Sequence, residues 1–97
     1  MIYDLSCQYD ARQSFYGKAK VESVRNSIEE VQTLYSYGTD VASIITNFET
    51  MKRTYIYNGK YSQTTTRHQK EFFKQNGLSD KEIKTLFKME GKLVKEC

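Results

Sequence analysis

The chain holds no proline and no tryptophan, and among its 97 residues there are one histidine, two cysteines and five glycines that never cluster. Each shortage excludes something. With no proline and no Gly/Ser-rich stretch, nothing marks a linker, so one domain is expected. Isolated glycines match no phosphate-cradling loop. The thiols Cys7 and Cys97 lie 90 positions apart, with neither the Cys-x-x-Cys nor the His-x-x-x-His spacing of a metal site. Only a tertiary meeting of Cys7, His68 and Cys97 would bring such ligands together, so no metal or other cofactor is expected. A secreted domain this small normally carries more cross-links, and two lone thiols point to a reducing, cytoplasmic setting. No apolar run approaches the ~20 residues of a membrane span. The first ten residues include Asp4 and Asp10 instead of the basic start and apolar core of a secretory signal.

Catalytic kits are equally scarce. A Cys–His pair needs a third group to orient the ring, and no Gly-x-Ser-x-Gly turn presents a serine nucleophile. Glu29 and Glu30 are adjacent in a predicted strand and so point to opposite faces, as a solvated edge does. The composition therefore argues against an enzyme.

Leu, Ile, Val and Phe together number 21 of 97, just above the ~20% level below which chains tend to stay disordered. Eight tyrosines extend this thin core, since they bury ring area while keeping a hydroxyl hydrated. Charge is polarised. Residues 1–50 carry four Lys/Arg and seven Asp/Glu, whereas residues 51–97 carry eleven and five, within an overall +3.

The first half reads as strands. Ala19 and Val21 alternate with Lys18, Lys20 and Glu22; Val31, Thr33, Tyr35 and Tyr37 share one parity; Val41–Thr46 is rich in β-branched residues; Arg53, Tyr55 and Tyr57 alternate with Thr54 and Ile56. Asn26-Ser27, Gly38-Thr39-Asp40, Asn47–Thr50 and Asn58-Gly59 supply the turns. Ile2–Leu5 is a further strand candidate. After Tyr61 the period becomes helical. Ser62, Thr64 and Thr66 are all good helix starters, Thr66 with Gln69 fits a capping box, Asn76-Gly77 ends the first helix, and Ser79-Asp80-Lys81-Glu82 caps a second that carries Ile83, Leu86, Phe87, Leu93 and Val94 at helical spacing. The expected fold is α+β: an antiparallel sheet of about four strands, residues 1–58 being mainly β, followed by two helices within 62–95 packed on one face.

Two features are candidates for binding. Arg67, His68, Lys70 and Lys74 lie on the first helix, preceded by Lys60 and Tyr61, and Thr64–Thr66 are expected to cap it. Basic groups beside a helix start suit phosphate, although Glu71, Asp80, Glu82, Glu90 and Glu96 interleave with the cations and the pI is only about 8.8. The tyrosines Tyr35, Tyr37, Tyr55, Tyr57 and Tyr61 would form a cross-strand aromatic face, serving either the core or a partner. Tyr55, Tyr57, Tyr61, Arg67, His68, Lys70 and Lys74 are thus the candidate contacts.

Leu34-Tyr35-Ser36-Tyr37-Gly38-Thr39-Asp40-Val41-Ala42, then Tyr61-Ser62-Gln63-Thr64-Thr65-Thr66-Arg67-His68 with Glu71-Phe72 and Gln75, together with Tyr3-Asp4 and Ser14–Val21, resemble a family of small, largely uncharacterised proteins of phages and prophages of Gram-positive bacteria. The resemblance spans about residues 3–77 and brings no catalytic residues. It implies a protein that binds and disables a bacterial host component, as anti-CRISPRs do, the expected target being a Cas9-type nuclease. The alternative expectation is a small nucleic-acid-binding phage regulator.

Overall fold

A computed structural model describes residues 1–9, 15, 17–89 and 91–96. Six strands form one antiparallel sheet in sequence order: β1 (Ile2–Asp4), β2 (Ala19–Arg25), β3 (Glu29–Ser36), β4 (Thr39–Asn47), β5 (Lys52–Tyr57) and β6 (Lys92–Glu96). Helices α1 (Gln63–Gln75) and α2 (Asp80–Met89) form the connection from β5 to β6. The domain is α+β as expected, with six strands where about four were read. Among the described residues no helix is long and apolar enough to cross a membrane.

Short polar turns set the meander. Asn26 Oδ1 accepts the amides of Ile28 and Glu29, both at 2.8 Å, and Asn47 Oδ1 does the same for Glu49 and Thr50 at 2.9 and 3.0 Å. The tight β3–β4 turn is Tyr37-Gly38, both residues in the left-handed region (φ 53° and 81°), as a type I′ hairpin requires. Asn58-Gly59 does not make a hairpin; it leads from β5 toward α1.

Register then assigns the faces. Leu34 pairs with Ala42 but Tyr35 pairs with Asp40, so Val41 is the extra residue of a β-bulge. Val41 and Ala42 are both buried in the core. One sheet face carries Ala19, Val21, Leu34, Ala42, Ile44, Tyr55 and Tyr57, covered by Phe72 and Phe73 of α1 and Ile83 and Leu86 of α2. Leu5 and Phe15 belong to the same core. The other face is left uncovered by the helices.

The second helix is shorter than its periodicity predicted. Leu93 and Val94 fall seven residues after Leu86 and Phe87, a separation that keeps helical phase, yet the helix ends at Met89 and they lie in β6. Residues 92–96 instead complete the open edge of β5, with Leu93 opposite Tyr55 and Val94 opposite Thr54. The 62–95 helical segment is corrected accordingly.

Candidate contact surface on the helical layer

Helix α1 begins one turn earlier than Thr66 would place it. Its N-cap is Ser62, whose Oγ accepts the Thr65 amide at 3.1 Å. The Thr66–Gln69 capping box does not form. Thr66 Oγ1 donates to Ser62 O at 2.9 Å. Gln69 is buried, and its Nε2 donates to Val41 O and Gly59 O at 3.0 and 3.1 Å. The Val41 carbonyl also accepts the Asn58 amide at 3.2 Å, so Gln69 adds a second donor there and ties α1 to the bulge and to the β5–α1 connection. At the other end, Gly77 (φ 96°) closes a Schellman turn: Gly77 N donates to Lys74 O and Leu78 N to Phe73 O, both at 3.1 Å. Arg53 Nη1 and Tyr55 Oη donate to the Asn76 carbonyl at 3.0 and 2.6 Å, tying this helix end to β5. The Ser79–Glu82 box forms as predicted, with Glu82 N donating to Ser79 Oγ at 3.2 Å and Ser79 N to Glu82 Oε1 at 3.0 Å.

Three candidate contacts are withdrawn by this packing. His68 is 1% exposed. Its Nδ1 lies 2.8 Å from Ser36 Oγ, which also hydrogen-bonds Thr65 Oγ1 at 2.9 Å, and Phe15 meets the ring edge-on at 4.5 Å. A Ser–His distance of 2.8 Å satisfies the first requirement for an activated nucleophile, but both side chains are sealed between β3 and α1, where no substrate reaches the oxygen. The group braces α1 to the sheet. Tyr55 and Tyr57 are also buried, the latter stacked on Phe87 at 4.3 Å. The expected tyrosine ladder does not form. Tyr57 stands opposite Ala42 on the covered face, whereas Tyr35 stands opposite Asp40 on the uncovered one, and Tyr37 occupies the turn.

Cys7 is half-buried against the core, and Cys97 lies outside the described residues. Among the described residues no three His, Cys, Asp or Glu side chains come together as a metal site. Sequence reading missed Glu71 as a clamp. This carboxylate, 2% exposed, accepts the backbone amides of Gln8 and Tyr9 at 3.1 and 2.8 Å, and Gln75 Nε2 at 2.7 Å. Its position next to Phe72, on the helix face that carries His68 and Phe72, was the available signal.

What remains outward is cationic. Gln63, Thr66, Arg67, Lys70 and Lys74 recur at helical spacing on the solvent side of α1, and Lys81, Lys84 and Lys88 do so on α2. Lys60, Gln63, Thr66, Arg67 and Lys70 line a shallow depression of about 330 Å³, and the adjoining Tyr61 is 50% exposed. Three of the acids that seemed to offset these charges have partners within the domain, and Glu90 lies outside the described residues. Glu71 clamps the N-terminal segment. Asp80 pairs with Lys74 at 2.8 Å, and Glu82 pairs with Lys95 at 3.1 Å. The hydrogen bond and charge of Lys74, with smaller contributions from Lys84 and Lys70, hold the Asp80 carboxyl below the ordinary aspartate range. The same interaction shows that lysines of both helices converge on one surface.

A sequential antiparallel sheet with a two-helix layer over one face, a sealed Ser–His–Thr brace and a basic outer helical surface defines this domain. The chain belongs to DUF8033, a family of unknown function whose model matches residues 3–88. No curated protein and no solved structure matches it.

Proposed function

We propose that the protein acts by binding, not by catalysis, and that the outward face of α1 and α2 is its contact surface. One observation carries this reading. Between residues 60 and 89, Glu71, Asp80 and Glu82 are all engaged within the domain, while Lys60, Arg67, Lys70, Lys81, Lys84 and Lys88 are exposed. The outward cations thus outnumber the exposed Asp80 carboxylate, which leaves a predominantly positive surface of the kind that attracts phosphate-rich partners. The partner we propose is a nucleic-acid-handling bacterial defence protein in the host cytoplasm. Given the resemblance to phage proteins, a guide-loaded Cas9-type nuclease is the leading target, blocked stoichiometrically. The exposed cations would lie along the phosphates of its bound strands.

A second reading, a small nucleic-acid-binding regulator, rests on the same surface, because cations beside the half-exposed Tyr61 ring suit a bare strand as well. Co-elution with the guide-loaded nuclease and a mobility-shift assay at two salt concentrations separate the two. The inhibitor co-elutes and shifts no bare DNA or RNA; the regulator shifts bare strands with affinity that falls steeply with salt. Arg67→Glu with Lys70→Glu is expected to weaken either interaction at least tenfold without altering the melting temperature. Wild-type protein inert in both assays refutes the proposal.

A further inference from the structure

The sheet face turned away from the helices carries two cross-strand rows. One runs Val24, Val31, Ile45, Thr54 and Val94 from β2 to β6, and its neighbour runs Glu22, Thr33, Ser43, Ile56 and Lys92. The first row is apolar at all but one position, and Val24 and Val94 at its ends are 61% and 55% exposed. Between β2 and β6 the second row has an acid at one end and a base at the other, and β1 continues it with the exposed Ile2 opposite Glu22. Of the other charges on this face, Lys20 pairs with Asp4 at 2.9 Å and Lys52 stands opposite Glu96, while Glu29 and Asp40 lie on β3 and β4. The helices and the buried Leu5 and Phe15 all lie on the opposite side.

We propose that this face is a homodimer interface, covered by a second copy of the chain packed sheet to sheet. A two-fold interface requires a patch complementary to itself, and both rows have that property about β4. An axis running along β4 sets β2 over the partner's β6. Val24 then meets the partner's Val94, Val31 meets the partner's Thr54, and Ile45 meets its own copy. In the other row Glu22 meets the partner's Lys92, and the symmetry makes that pair twice. A foreign partner would not demand this matching of the two ends of each row.

The dimensions suffice. The five superposed strands, β2 to β6, lie ~4.8 Å apart and span about 19 Å, and central strands of six to nine residues rising ~3.3 Å per residue run roughly 20–30 Å. That gives a plan area of roughly 400–600 Å². Side-chain relief adds to this, which places the interface at the small end of specific ones, about 600 Å² per partner. Aligned sheets pack ~10 Å apart in this manner.

The test is sedimentation equilibrium of the whole chain from about 1 to 200 µM, a range that brackets the micromolar dissociation constants of modest interfaces. Wild type is expected to show a concentration-dependent dimer, and Ile45→Glu to be monomeric with an unchanged circular dichroism spectrum. Glu22→Lys and Lys92→Glu, each checked for an unchanged circular dichroism spectrum, should each raise the dissociation constant roughly tenfold, and the two changes in one chain should restore it. A wild-type monomer throughout the range overturns the proposal. So does a dimer that Ile45→Glu leaves intact, or charge exchange without rescue. Arg67→Glu with Lys70→Glu leaves this dimer unchanged, which separates its outcome from that of the helical contact surface.

Discussion

Replacing Ser36 by Ala tests whether the sealed polar brace holds α1 on the sheet. The hydroxyl joins Thr65 at 2.9 Å and His68 Nδ1 at 2.8 Å, and all three side chains are buried. Removing one partner of a buried hydrogen bond leaves the other desolvated, at a cost of about 1–3 kcal/mol. The cavity left by one oxygen adds little. For a domain of this size, ~2 kcal/mol corresponds to a fall in melting temperature of roughly 8–16 °C. Thermal unfolding followed by circular dichroism reads it directly. The same change in a His68→Leu background should cost at least ~1 kcal/mol less, because the imidazole that Ser36 satisfies is already gone. A loss under about 2 °C, or equal losses in both backgrounds, would falsify the brace.

Other expectations concern the helix ends. Gly77→Ala forces a Cβ into a φ of 96° and should destabilise by about 1–2 kcal/mol, whereas Gly91→Ala, with no positive φ and the Met89 carbonyl oxygen 3.5 Å from the added Cβ, should be near neutral; urea midpoints compare them. Asp80 and Glu82 titrate below their ordinary values in the folded chain, Asp80 chiefly through the Lys74 hydrogen bond and Glu82 chiefly through the Ser79 amide. Protons therefore bind the unfolded chain first. The stability these carboxyls contribute is in place above the ordinary carboxylate range and is lost as pH falls through that range toward their lowered folded values. In Lys74→Met the Asp80 midpoint, followed by NMR, should move up toward the ordinary aspartate value; an unmoved midpoint would assign the shift elsewhere.

Much of the meander was legible because a strand's side-chain period is local. Alternation at Ala19–Glu22, Val31–Ser36 and Arg53–Tyr57 needs no partner to be seen, and the Ser79–Glu82 box and Gly77 are chemistry confined to one turn. The C-terminal strand was not legible. Leu93 and Val94 satisfy a helical and an extended pattern equally, and the choice fell to the unpaired edge of β5. The start of α1 was ambiguous for a related reason, since Ser62 and Thr66 are both competent caps. Ser62 caps the helix, and the extra turn it opens brings Thr65 against Ser36 of the sheet.

The candidate site was read only in part. Arg67, Lys70 and Tyr61 are exposed as their chemistry implied, but His68, Tyr55 and Tyr57 were placed among them on chemical type alone. The two stretches that carried the family resemblance turn out to meet, with Ser36 of one bonded to Thr65 and His68 of the other.

By itself the sequence determined strand and helix periodicity, the turns and the excess of cations after residue 51, since each is a property of neighbouring residues. Tertiary structure alone decided which parity of each strand faces the helices, because a bulge at Val41 and the pairing register set it. It also decided which charges stay outward, because Glu71 is folded inward against the amides of Gln8 and Tyr9 whereas Asp80 stays at the surface beside Lys74.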